Sequence, residues 1–147
     1  MSDGFFIDIA MEKTIAAICT APGAAGISIV RISGKQALEL AAQLCPNKRL
    51  KKEEGGSFFY TTLRSPATQE LIDEAIVLVY RAPHSYTGED TIELQVHGGH
   101  VSSQRILKEL LALGAISASA GEFTCRAFLN GRLDLSRAEA GRKYKDL

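Results

Sequence analysis

Polar and apolar positions alternate without a break from Thr91 to Val96, with Ile92, Leu94 and Val96 on one side of an extended strand and Thr91, Glu93 and Gln95 on the other. One side is thereby assigned to a core. Gly98-Gly99 ends the alternation, and a helical pattern follows in which Ile106, Leu107, Leu110, Leu111 and Leu113 form an apolar stripe closed by Gly114. That stripe reads as core or as a dimer face. The helix start sets free backbone N–H groups just beyond the strand that carries Glu93, a combination that suits a ligand.

The same reading applies to the rest of the chain. Thr14 to Thr20 is a β-prone apolar run, Ala21 to Gly26 a glycine-rich connection, and Ile27 to Ile32 a second run: strand, loop, strand. Ser33 and Gln36 have capping-box spacing ahead of a helix whose apolar positions are Ala37, Leu40, Ala41 and Leu44, with Pro46 marking its end. Asn47 to Gly56 is a loop of mixed charge; its basic half suits contact with RNA phosphate or plain solvation. Ser57 to Leu63 and Ala75 to Tyr80 read as strands joined through the acidic Asp73-Glu74. The second is apolar without alternation and is expected to be covered on both faces. Ala115 to Ala118 suggests a short strand. Ser119 and Glu122 form another capping box before Phe123, Ala127 and Phe128, and Gly131 closes that helix. Asp134 or Ser136 starts a further helical pattern through Ala140. Strands broken by three helices, without regular alternation, predict an α+β fold: a mixed sheet of five or six strands with helices mainly on one face.

Composition narrows the class. The 147 residues are 46% hydrophobic and 23% charged, as in an ordinary globular domain. Lysine plus arginine and aspartate plus glutamate both number 17, so no overall field draws in nucleic acid and any such contact is local. Cys19, Cys45 and Cys125 are far apart and lack metal-ligand spacing, which reads as reduced thiols in a cytosolic protein. The first residues lack the basic start and apolar run of a secretory signal, and no apolar stretch approaches the ~20 residues of a membrane span. A soluble, cytoplasmic chain is expected.

Candidate chemistry is sparse. The loop from Ala21 to Gly26 is followed by a strand, and lacks the Gly-Lys-Ser/Thr ending of a phosphate-binding loop, so it reads as a connecting turn. His97 and His100 flank the double glycine without enough neighbouring ligands for a dedicated metal site. Glu89 and Asp90 face opposite ways if extended, which gives poor support to a carboxylate pair. Arg31 shares its parity with Ile27 and Ile29, so its guanidinium needs an internal ion pair, an anionic ligand or a route to water. Glu93 is open to two readings, solvent-facing or ligand-binding.

Three ordered blocks carry a resemblance. They are Thr14-Ile15-Ala16-Ala17 through Pro22-Gly23 to Val30-Arg31-Ile32-Ser33-Gly34; Ser85-Tyr86-Thr87-Gly88-Glu89-Asp90 through Glu93 to His97-Gly98-Gly99; and Gly121-Glu122-Phe123-Thr124 with Arg126-Ala127-Phe128-Leu129-Asn130-Gly131-Arg132-Leu133-Asp134-Leu135 and Ala138-Glu139-Ala140. Together they resemble the N-terminal domain of the MnmE/TrmE family of tRNA modification GTPases. The resemblance implies a fold related to the folate-binding domain of the glycine-cleavage T-protein. It also implies a homodimer with a one-carbon tetrahydrofolate, 5-formyl or 5,10-methylene, near the subunit interface. Arg31, Glu93 and Arg132 fall on the family's folate-pocket positions.

In the longer family proteins, GTP, Mg²⁺ and K⁺ belong to a GTPase domain absent from this chain. A flavoprotein partner of the glucose-inhibited-division type and tRNA complete the system, which modifies wobble uridine at carbon 5. The implied division is an N-terminal extension at 1–13, the folate and dimerisation domain at 14–133, and the start of a truncated helical domain with a divergent tail at 134–147. Two departures stand out: Ala120 where the family has proline, and the run from Gly141 to Leu147, which reads as a truncated or frame-altered end. Two rival expectations are a dimerisation module that binds no folate and a free-standing folate-dependent one-carbon transferase, the latter lacking an obvious general base.

Overall fold

Residues 12–20, 26–46, 50 and 54–131 are described by a computed structural model. Their elements run β1 (Ile15–Ile18), β2 (Ile27–Ser33), α1 (Ala37–Leu44), β3 (Ser57–Arg64), β4 (Leu71–Tyr80), β5 (Thr91–His97), α2 (Val101–Ala112), β6 (Ile116–Ser117) and α3 (Glu122–Leu129). The six strands form one sheet in the order β3-β4-β5-β2-β1-β6. All neighbours are antiparallel except β1 and β6, which are parallel. This is the mixed α+β sheet that the patterning predicts.

Side-chain parity decides what each face does. Val30 and Ile32 of β2, Ile92, Leu94 and Val96 of β5, and Val77 and Val79 of β4 share one buried face with Leu40 and Leu44 of α1 and Ile106 and Leu110 of α2. Two of the three helices just named thus cover one side of the sheet. The apolar stripe of α2 divides: Ile106 and Leu110 are fully buried, whereas Leu111 is exposed. The opposite face carries Arg31, Glu93 and Gln95, and α3 reaches it at one end, where Phe123 stands 5.2 Å from the Arg31 guanidinium carbon. The rest of that face remains open, with Phe58 71% and Tyr60 61% exposed and Ile27 and Ile76 exposed beside them.

Several local expectations are corrected. β4 begins at Leu71, so Asp73 and Glu74 lie within the strand, and Ile76 is exposed, so the strand is covered on one face only. Glu93 points to the face opposite α2's packing surface, so it does not share a site with that helix's N-terminus. Gly121, with φ of +74°, takes the N-cap position of α3 in place of Ser119; half of the expected box survives, as the Ser119 backbone N–H donates to Glu122 Oε1 at 2.9 Å. Ser33 does not cap α1 either. Its hydroxyl donates to Glu89 Oε1 at 2.8 Å and bonds Thr87 at 2.7 Å, while Thr14 Oγ1 accepts the Gln36 N–H at 3.0 Å. Strand pairing places Ile15 opposite Ser33, which is what brings Thr14 to the helix start.

All three cysteines are free thiols, and burial pushes the Cys45 thiol up to about 12, well out of the reactive range. No helix among the described residues is long and apolar enough to cross a membrane.

The start of α1 depends on Gly34. Its φ is +139°, and a Cβ there would stand 2.6 Å from Thr14 Oγ1 and 2.7 Å from Thr14 Cα. The obstacle includes backbone, which cannot swing aside. Gly34→Ala is therefore expected to destabilise the fold by roughly 2–4 kcal/mol through backbone strain and overlap, read as a lowered urea midpoint.

Candidate functional site

β2 and β5 pair so that Arg31 lies directly opposite Glu93. Their side chains leave the sheet on the open face and meet, with Arg31 Nε donating to Glu93 Oε2 at 3.0 Å. Both are mostly enclosed, at 21% and 16% side-chain exposure. Among the described residues this is the pair's one mutual hydrogen bond, and it uses one guanidinium nitrogen and one carboxylate oxygen. The terminal Nη groups and Glu93 Oε1 leave a donor edge next to an acceptor, the arrangement that recognises a planar molecule carrying both donors and acceptors.

Aromatic side chains bound the pair. The Arg31 guanidinium carbon lies 5.5 Å from the centre of the Tyr86 ring and 5.2 Å from that of Phe123, within the range of cation–π attraction. Tyr80 stands close enough that, beyond the effect of its own burial, the Glu93 charge raises its phenol pKa and the Arg31 charge opposes the rise. Next along the open face is a hollow lined by Ile27, Tyr60, Glu74, Ile76, Gln95 and His97. Arg31 and Glu93 do not line that hollow; it begins at Gln95 on β5, one alternate position beyond Glu93, and at Ile27 on β2, two beyond Arg31.

What holds the aromatic wall is a polar cluster whose members the sequence patterning did not bring together. Arg126 of α3 is 2% exposed and donates through Nη1 to both oxygens of Glu89 at 3.1 Å and through Nη2 to Glu122 Oε2 at 3.2 Å. Glu89 also accepts from Ser33, and Asn130 Nδ2 donates to the Thr87 carbonyl at 2.8 Å. These bonds tie the Ser85 to Asp90 loop to both β2 and α3. A sequence signal existed in part: Glu122 and Arg126 are four apart, flanking the buried Phe123 and Ala127. Glu89, 37 positions away, gave none.

His97 lies at the far end of β5. Its Nδ1 is 2.7 Å from Asp73 Oδ1, and its backbone N–H donates to Asp73 Oδ2 at 3.2 Å. Among the described residues no cluster of three metal-ligating side chains occurs. The hydrogen bond to Asp73, followed by that carboxylate's charge, raises the His97 pKa above its ordinary 6.5. Burial pushes the Asp73 carboxyl up, but hydrogen bonds from His97, Ser102 and backbone N–H groups outweigh it and leave the net value below 3.8.

The signs set a window. His97's contribution to stability is complete below pH 6.5 and is lost as pH rises through its raised folded-state value; Asp73's is complete above 3.8 and is lost as pH falls through its lowered one. The urea midpoint is expected to fall as pH rises from 6.5 through the raised His97 value, with a shallower fall in His97→Gln. Equal slopes would show that the pair does not contribute.

Of the three residues anticipated for a pocket, Arg31 and Glu93 are brought together, and Arg132 lies outside the described residues. The profile of the family described as "GTP-binding protein TrmE N-terminus" matches residues 14–132. A tRNA modification GTPase MnmE from Thermus thermophilus is 48% identical over 130 residues, covering 88% of this chain and 30% of that protein. Its namesakes from Pediococcus pentosaceus and Symbiobacterium thermophilum are each 52% identical, over 86% and 88% of this chain and 27% and 29% of their own lengths. The chain thus spans less than a third of the length of these curated relatives.

Proposed function

Because the chain belongs to the family of TrmE N-terminal domains, we propose that it is the tetrahydrofolate-binding and homodimerisation module of a tRNA-modifying GTPase. The observation that carries the folate reading is the Arg31–Glu93 pair, mostly enclosed on the open sheet face between aromatic rings. A pterin presents adjacent N–H donors that the Glu93 carboxylate accepts in a charge-assisted pair, and a carbonyl oxygen or the glutamate-tail carboxylates that a guanidinium meets. Arg31, and Arg132 by its family position, are the candidates for that second task. A bound one-carbon tetrahydrofolate, 5-formyl or 5,10-methylene, supplies the one-carbon unit, and this chain's residues bind and orient it. GTP with Mg²⁺ and K⁺, tRNA and a flavoprotein partner are assigned to the longer protein.

The test is calorimetric titration of this chain with 5-formyltetrahydrofolate. Saturable one-site heat supports the reading, and no binding at ligand concentrations up to about 1 mM overturns it. One observation favours the rival module that binds no folate: the Arg31 Nε bond at 3.0 Å already engages Glu93 Oε2, so a ligand that takes both carboxylate oxygens must share or displace it.

Dimerisation is supported by the open face itself. Phe58, Tyr60, Ile27 and Ile76 leave an apolar patch uncovered on one side of the sheet, and a second copy is the partner that family membership suggests. A folate between the copies would touch both. Tyr60→Asp is expected to turn a dimer into a monomer in sedimentation experiments while leaving the unfolding midpoint of the isolated subunit within about 1 kcal/mol. A dimer that persists in this variant would move the interface off this face.

A further inference from the structure

We infer that Tyr86 is a ligand-positioning residue, its ring serving as the surface on which the flat pyrimidine part of the pterin stacks beside the Arg31–Glu93 pair. This rests on the folate reading above and adds a residue to it. The geometry of Tyr86 differs from that of a core or a loop tyrosine. It is 40% exposed and shares its ring with the Arg31 guanidinium, 5.5 Å from its centre, yet its hydroxyl is fixed by a 2.9 Å hydrogen bond to Thr124 Oγ1 on α3. The flanking backbone is fixed too: Glu89 is bound to Arg126 and Ser33, and the Thr87 carbonyl accepts from Asn130.

An aromatic plane held still at its far end and partly exposed loses little freedom when a second plane settles on it. Its neighbour is the Arg31 guanidinium, which Phe123, only 6% exposed, approaches as well. The cation is thereby held to a narrow range of orientations next to Glu93. Ring, guanidinium and carboxylate together present a stacking surface, donors and an acceptor within a few ångströms. A flat, nitrogen-rich heterocycle uses all three at once; an aliphatic anion would use only the cation.

Stacking of a nucleobase-sized ring on an aromatic side chain corresponds to an affinity change of about tenfold to a hundredfold on truncation. Tyr86→Leu in the full 147-residue chain is expected to weaken 5-formyltetrahydrofolate binding by that factor in calorimetry, and Tyr86→Phe by no more than about threefold. At saturating ligand, the ultraviolet difference spectrum from the stacked ring should vanish in Tyr86→Leu and persist in Tyr86→Phe. A merely structural role would weaken binding but leave the difference spectrum at saturation intact, and that result overturns the inference.

Should Tyr86→Leu fail to fold, the unaltered chain decides. It has no tryptophan, so its emission comes from its four tyrosines. Pterin-6-carboxylate, the ring without the tail, should quench that emission, and p-aminobenzoylglutamate, the tail without the ring, should not; quenching by the tail alone overturns the inference. Binding that is lost in Glu93→Ala yet unchanged in Tyr86→Leu removes Tyr86 and leaves the folate reading standing, whereas an unaltered chain that binds no folate removes both.

Discussion

Arg126→Ala is expected to cost about 3–5 kcal/mol of stability, a large fraction of what a domain of this size holds. Arg126 is 2% exposed and is the cationic partner of two carboxylates, Glu89 and Glu122. Deleting it leaves Glu89, itself only 13% exposed, with the Ser33 hydroxyl as its remaining side-chain donor among the described residues. An uncompensated carboxylate in that position is far costlier than the pair was favourable, because the charge has lost its solvent and its counter-ion together. Urea denaturation of Arg126→Ala, Glu89→Gln and the double variant gives the coupling. The double should be markedly more stable than the sum of the singles implies, since it removes both charges; additive losses would show that the two do not act as a unit. The effect should extend to the candidate site. With the tie between the Ser85 to Asp90 loop and α3 released, Tyr86 and Phe123 lose their fixed distance from Arg31, so ligand affinity should fall even under conditions where the variant remains folded.

The elements of this fold were largely legible, because most were announced by local periodicity. The alternation at Ile92, Leu94 and Val96 corresponds to the buried face of β5, and Ile106 and Leu110 to the buried face of α2. The failures share a cause. Ser33 reads as a helix cap because Gln36 follows at the right interval, but strand pairing brings Thr14 alongside to take that role and turns the Ser33 hydroxyl toward Glu89. No local pattern encodes which hydroxyl arrives first. In β4 the run from Ala75 to Val79 lacks alternation, and covering on both faces was the natural inference; instead Ile76 lies on an open, partly apolar face. Hydrophobicity reports that a side chain disfavours water, without saying whether its cover comes from the same chain or from another. The Arg31–Glu93 pair was half legible: both residues stood out as charges in β-patterned runs, whereas their meeting depends on a register between positions 62 apart.

Glu93→Ala should weaken 5-formyltetrahydrofolate binding by at least about a hundredfold while leaving the domain folded. The first half follows from the kind of bond at stake. Two charge-assisted hydrogen bonds to the ligand's N–H groups are together worth about 3 kcal/mol or more, and each 1.4 kcal/mol is a factor of ten. The second half follows from where Glu93 sits: on the open face, 16% exposed, paired with an arginine that is 21% exposed and long enough to find water once released. Losing one partner of such a mostly enclosed pair costs about 1–3 kcal/mol, a shift in the urea midpoint that leaves a domain of this size folded. Glu93→Gln separates charge from shape. Glutamine keeps the volume and one oxygen, but presents an N–H₂ where the ligand also presents a donor, so the contact turns repulsive at one of its two points. Its affinity should therefore fall nearly as far as that of the alanine variant, even though its packing is preserved. Full affinity in Glu93→Gln would mean that the carboxylate's charge is not read by the ligand, and that Glu93 serves only to hold Arg31 in place.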